Sequence, residues 1–239
     1  MLKETKYIDI HYTDKDINYI DDLTEFINNN SKDIVDFFGL ENFKEKVILY
    51  MFDDLEKFRK NISNKYKNNI VPSWLCGFSY NENNNFIIKT LCLDEYKKTK
   101  WHTNHNLNDL KNLILHEFVH SCQLKYTNFL LPNIKLPLWL KEGMACLLSR
   151  QYDDVKLGFD ATLDEVINGN TNYSNYYTMF LYVYNTYGKE YILELLRNSE
   201  KLISETPVLH EETIKYYNNI KNNIRKWQYE NRWFWLFFA

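Results

Sequence analysis

His116-Glu117-Phe118-Val119-His120 is the stretch whose residue types could do chemistry together. It is an H-E-x-x-H inside a run with helical periodicity. Two imidazoles four residues apart stand one turn apart on one face, the spacing at which both reach a single metal ion. At ~100° per residue, Leu107, Leu110, Ile114, Phe118 and Cys122 gather on one side of that helix, and His116 and His120 point away from it. The apolar side then faces a core and the histidines a cleft. Asn106 is the expected N-cap, with Asp109 in the first turn, where negative charge suits the helix dipole. A bare H-E-x-x-H also arises by chance, and its ordinary alternative is two histidines on a polar helix face.

A second stretch supplies a third ligand. Pro137-Leu138-Trp139-Leu140-Lys141-Glu142-Gly143-Met144-Ala145 reads as a helix start with proline in the first turn. Glu142 lies 22 positions after His120, room for a loop around Asn128 to Asn133 and an antiparallel return. Ala145, Cys146 and Ser149 share its face and are small, so another helix can approach closely. Trp139 and Gly143 read as packing devices, the indole as a buttress and the glycine as a point of close approach. Two histidines, one glutamate and a water form the usual open tetrahedral zinc shell of a hydrolase. Zinc is therefore the expected cofactor, on His116, His120 and Glu142. Glu117, on the same helix but not a ligand, is the expected general base.

Together these stretches resemble the gluzincin clan of zinc metallopeptidases, in particular the small peptidase-MA-like domains that carry W-L-x-E-G-x-A after H-E-x-x-H. The likeness is tight over residues 106–150 and continues more loosely outside them. Tyr7-Ile8-Asp9-Ile10-His11-Tyr12 resembles the family's first strand. The run from Tyr173 through Tyr187-Gly188 resembles its tyrosine-bearing helix. The resemblance implies a zincin-like fold, with a mixed sheet over the metal helix and a helical second lobe. It also implies a tyrosine that helps the metal stabilise the oxyanion. Register with Tyr187-Gly188 selects Tyr173, with Tyr176 and Tyr177 as alternatives. The chain departs from aminopeptidase-type members in its glutamate spacing and in lacking their G-A-M-E-N element; its nearest glycine stretch is Cys76-Gly77-Phe78-Ser79-Tyr80. The departure weighs against aminopeptidase action and leaves the zinc expectation intact.

Composition narrows the class. In 239 residues, 45% hydrophobic and 17% aromatic content describe a chain that folds around a sizeable core. A formal charge of −3 gives no cue for a nucleic-acid partner or an anionic membrane. Cys76, Cys92, Cys122 and Cys146 form no C-x-x-C pair and read as reduced core thiols. Met1 to Asp16 carries no apolar signal-like core, and no run reaches the ~18 apolar residues of a membrane span, so a soluble cytoplasmic protein is expected.

The pattern along the chain is α+β, strands early and helices late. Strands are expected at 5–12, Val47 to Phe52, Trp74 to Tyr80 and Phe86 to Leu93, with helices at 15–38 (closed by Gly39) and Asp53 to Tyr66. Phe86–Leu93 is either a cleft-edge strand able to pair with an extended peptide or an internal strand. Helices follow at 106–126, 137–150, 174–187, 189–200 and 206–231, the last starting at Thr206-Pro207. The whole is expected to be one peptidase unit, an α/β lobe over about 1–126 and a helical lobe over about 127–231. His102 and His105 read as exposed loop residues, and His210 as exposed near a helix start. The tail from Trp233 to Phe238 is expected to dock on the body, with a dimer contact, a membrane-surface anchor or a plug in the peptide cleft as the alternatives.

Two functions compete. One is a zinc metallopeptidase acting on peptides or unfolded segments. The other is a catalytically silent zincin-fold module that binds zinc and serves interaction or regulation. The intact Glu117 favours the enzyme, because it supplies the base that a binder does not need. A helical adaptor with an accidental motif requires coincidence at three separate stretches.

Overall fold

The computed structural model describes residues 1–40, 45–63, 71–130, 135–152, 157–169 and 171–221, without the side chains of 128–130. Its contacts divide the chain into two units, Met1–Leu124 and Lys125–Ala239, with the boundary inside one helix. The class is α+β, with a single five-stranded mixed sheet among the described residues.

In the first unit, β1 (Leu2–Glu4), β2 (Ile8–His11), β3 (Val47–Phe52), β4 (Gly77–Glu82) and β5 (Asn85–Leu91) form the sheet in the order β1-β2-β3-β5-β4. β2, β3 and β5 run parallel, and the outer strands β1 and β4 are antiparallel to their neighbours. Parallel pairs need helical crossovers. α1 (Ile20–Phe37) supplies the first, and α2 (Leu55–Ser63) lies between β3 and the β4–β5 hairpin. In β3 the alternation is clean: Val47, Leu49 and Met51 are buried, while Ile48, Tyr50 and Phe52 are half-buried. α1 stops at Gly39, whose φ of +63° suits a residue without Cβ. The Leu40 N–H then reaches back to Val35 C=O at 3.1 Å.

The β4–β5 hairpin turns on Asn83 and Asn84, with φ of 51° and 65°. Asparagine is among the few residues that tolerate two successive left-handed positions, which a tight hairpin turn demands. β5 has β3 on one side and β4 on the other, so the edge reading of Phe86–Leu93 is corrected to an internal strand. With both edges paired, no main-chain edge of β5 is left for a peptide; from Phe86 to Leu91 every residue is also buried, so both faces are covered.

α3 (Leu93–Tyr96) is a single turn, and α4 (Leu107–Leu130) is the long helix that carries His116 to His120. Its start is capped as expected. Asn106 Oδ1 accepts the Asn108 N–H at 2.7 Å, and Asp109 Oδ2 accepts the Asn106 N–H at 2.6 Å. The expected division into an apolar and a cleft-facing side is not so sharp, because every residue from Leu110 to Gln123 except Asn112 is buried. Burial is spread round the helix here rather than confined to one stripe.

The second unit is helical among its described residues: α5 (Leu138–Leu148), α6 (Leu163–Asn168), α7 (Tyr173–Arg197) and α8 (Ser199–Ile220). α7 joins the two expected helices on either side of Gly188, which bends the run with φ 80° and ψ 178°. The helix expected to start at Thr206-Pro207 begins earlier. Asn198 caps α8, its side chain accepting the Lys201 N–H at 3.0 Å, and Pro207 lies inside the helix. His210 is therefore mid-helix and buried, with Nε2 2.9 Å from Ala161 O, not exposed.

No helix among the described residues is long and apolar enough to cross a membrane. The tail from Trp233 to Phe238 and the expected helix end at 222–231 lie outside the described residues.

Candidate metal centre

His116, Glu117 and His120 come from the middle of α4, where exposures of 4%, 7% and 5% keep all three away from bulk water. The two imidazoles stand edge to face, ring centroids 4.7 Å apart, as the i and i+4 spacing dictates. Glu142, on the second turn of α5, is buried to the same degree. The structure brings His116, His120 and Glu142 together, each offering one ligand atom, all within 4.8 Å of one another. No other group of three histidine, cysteine, aspartate or glutamate ligands is so placed among the described residues.

Further contacts prepare these side chains. His120 Nδ1 is 2.8 Å from Gln123 Oε1, one turn further along α4. An amide oxygen at this distance suits an Nδ1–H donor, the arrangement that leaves Nε2 to face a metal. Lys141 donates to Glu142 Oε1 at 3.0 Å, and this charge-assisted contact helps to hold the carboxylate. The donor set of two imidazoles and one carboxylate fits a zinc-type ion. Gln123→Ala is expected to weaken metal affinity 10–100-fold, the usual loss when a partner behind a ligating histidine is removed. A zinc titration against a chromophoric chelator reads this directly.

No thiol belongs to this group among the described residues. Cys146, one turn after Glu142, is fully buried, and burial with the adjacent Glu142 charge pushes its pKa well up. Burial does the same to Cys76. All four cysteines are free and buried, as the sequence implied.

Tyr173, the expected oxyanion donor, is half-buried at the first turn of α7. It stacks on Tyr152 at 6.2 Å between centroids and meets Tyr176 edge-on at 5.8 Å. Tyr176 is buried, and its phenol meets the backbone of Thr171. Tyr177 is also buried and packs against the other side of this group, 5.7 Å from Tyr152.

Sequence reasoning passed over Gln123 and Tyr152. Gln123 had a signal, three residues beyond His120 on the same helix. Tyr152 had none, because its approach to Tyr173 and Tyr177 is made by tertiary packing. Burial raises the Tyr152 pKa, with smaller contributions from Cys146 and the Glu142 charge.

His102 and His105 are corrected from exposed to half-buried. His102 Nδ1 is 2.7 Å from Thr99 Oγ1, its Nε2 3.8 Å from Cys76 Sγ, and His105 Nδ1 is 2.6 Å from the Tyr96 phenol. Burial, with His105 beside it, pushes the His102 pKa down to about 4, so this ring is neutral at pH 7.

Comparison of the chain with protein-family models, curated proteins and solved structures finds no match in any of the three.

Proposed function

We propose that this chain is a zinc metallopeptidase of the gluzincin type, with a zincin-like arrangement of its α+β elements. The observation that carries the reading is the burial of His116, His120 and Glu142 within ligand distance of one another, with Glu117 on the same turn of α4. His116, His120 and Glu142 would hold the ion. Zinc bound there supplies Lewis acidity, which polarises a carbonyl and makes water acidic enough to ionise near pH 7.

Glu117 takes the proton from the attacking water and passes it to the departing amine. Gln123 holds the His120 ring in its ligating tautomer. Tyr173 donates its phenolic hydrogen to the oxyanion, and Tyr152 backs its ring. Burial of the acid and the two imidazoles keeps bulk water from screening these interactions. The substrate is a peptide or an unfolded protein segment. Four reduced thiols fit a reducing compartment and support a cytoplasmic location.

The runner-up, a silent zinc-binding module, has no observation in its favour that the enzyme lacks. Incubation of the zinc-loaded chain with a diverse peptide library, read by mass spectrometry, tests the proposal. Cleavage products that disappear with Glu117→Gln support it. A peptide pool unchanged by the parent chain contradicts it.

A further inference from the structure

We infer that Gly77 is a positioning residue for Glu117, keeping open the space in which its carboxylate stands. The inference rests on Glu117 being the base. Gly77 is the first residue of β4, the outer strand of the sheet, paired with Thr90 of β5. A Cβ at Gly77 would lie 2.9 Å from Glu117 Oε1, 3.1 Å from Glu117 Cγ and 3.1 Å from Leu113 Cδ1. The backbone of β4 therefore lies directly against the side chain of the acid.

Two causes keep glycine at a position: a left-handed backbone, or lack of room. The glycines with positive φ are Gly39, Gly169 and Gly188, so Gly77 has a backbone that other residues adopt without strain. Room is what remains.

The identity of the crowding atoms decides what a methyl group there would do. At Gly143 the added Cβ meets the backbone carbonyl of Tyr176, which cannot turn aside. At Gly77 it meets the ends of two side chains, Glu117 and Leu113, each able to rotate. The fold can absorb that change, while the carboxylate has to leave its place. A substitution that is mild for packing is thus severe for a base whose position matters to about an ångström. β4 sets that position from outside the helix on which the acid is built.

The test is Gly77→Ala in the zinc-loaded full chain, with cleavage of the best-turned-over library peptide and a crystal structure of the variant. The expected result is a kcat about 10²-fold lower with KM unchanged, the scale of loss for a misplacement near 1 Å. Zinc content stays at the parent level, and the Glu117 carboxylate is displaced while the helix keeps its place. In a Glu117→Gln background the same substitution brings no further loss, because the group it displaces no longer acts. Parent-level kcat, or a carboxylate unmoved beside the new methyl group, overturns the inference. If Gly77→Ala does not fold, it is paired with Glu117→Ala, whose vacated volume accepts the methyl group; recovery supports the inference and continued failure overturns it. A parent chain without peptidase activity removes the proposed function, and the carboxylate's position in the variant structure then decides the role of Gly77 by itself.

Discussion

Glu117→Gln is expected to lower peptide turnover by about 10²–10⁴-fold, the range for loss of a positioned general base. It should leave the metal in place. Glutamine keeps the length and the acceptor oxygen of glutamate but cannot take a proton near neutral pH. Glu117 shares its helical turn with His116 yet is outside the group of three ligands, so its replacement removes no donor. Single-turnover rates with zinc content measured on the same sample separate proton transfer from ligation. Equal rates in parent and variant would show that another group moves the proton. A loss of zinc together with the rate would make Glu117 a ligand or a buttress of one.

The second large effect is on stability. Gly143→Ala is expected to cost about 3 kcal/mol, at the upper end of overpacking penalties, and to lower Tm by roughly 6–12 °C for a domain of this size. The added Cβ would lie 2.6 Å from Phe180 Cβ and 3.0 Å from the Tyr176 carbonyl carbon, and it would meet the Tyr176 carbonyl oxygen itself. α5 and α7 would have to move apart, although Trp139, Met144 and Ala145 on the one and Met179 and Phe180 on the other are completely buried. Interiors packed as tightly as this do not open locally without losing neighbouring contacts. Thermal unfolding followed by circular dichroism measures the cost. A Tm within 2 °C of the parent would mean that these helices do not need the glycine.

Local features were legible where their causes are local. The capped start of α4 followed from Asn106 and Asp109, the end of α1 from Gly39, and β3 from an alternating apolar run. The group of three candidate ligands was legible because histidines at i and i+4 lie on one helical face, and because Glu142 has small residues and a glycine around it. What the residues alone could not reveal depends on partners distant in sequence. β1 is three residues long and exists by pairing with β2, so no pattern marks it. The place of β5 inside the sheet follows from strand order, not from its own composition. Thr206-Pro207 suggested a helix start, but the cap at Asn198 and the helix running through Pro207 placed the start seven residues earlier, at Ser199. His210 was misread for the same reason, because its partner Ala161 lies 49 positions away; His102 and His105 were misread because the irregular turns that bring Thr99 and Tyr96 to them carry no readable pattern. Gly77 is the clearest example at the site, since a glycine far from α4 in sequence meets the acid only once the sheet and helix pack.

Metal stoichiometry tests the central claim most directly. The purified chain, stripped with chelator and reloaded, should bind one zinc per chain by atomic spectroscopy, and His116→Ala, His120→Ala and Glu142→Ala should each lose it while keeping the parent's circular dichroism. Zinc binding that survives all three substitutions, or a folded parent chain that takes up no zinc, would contradict the account.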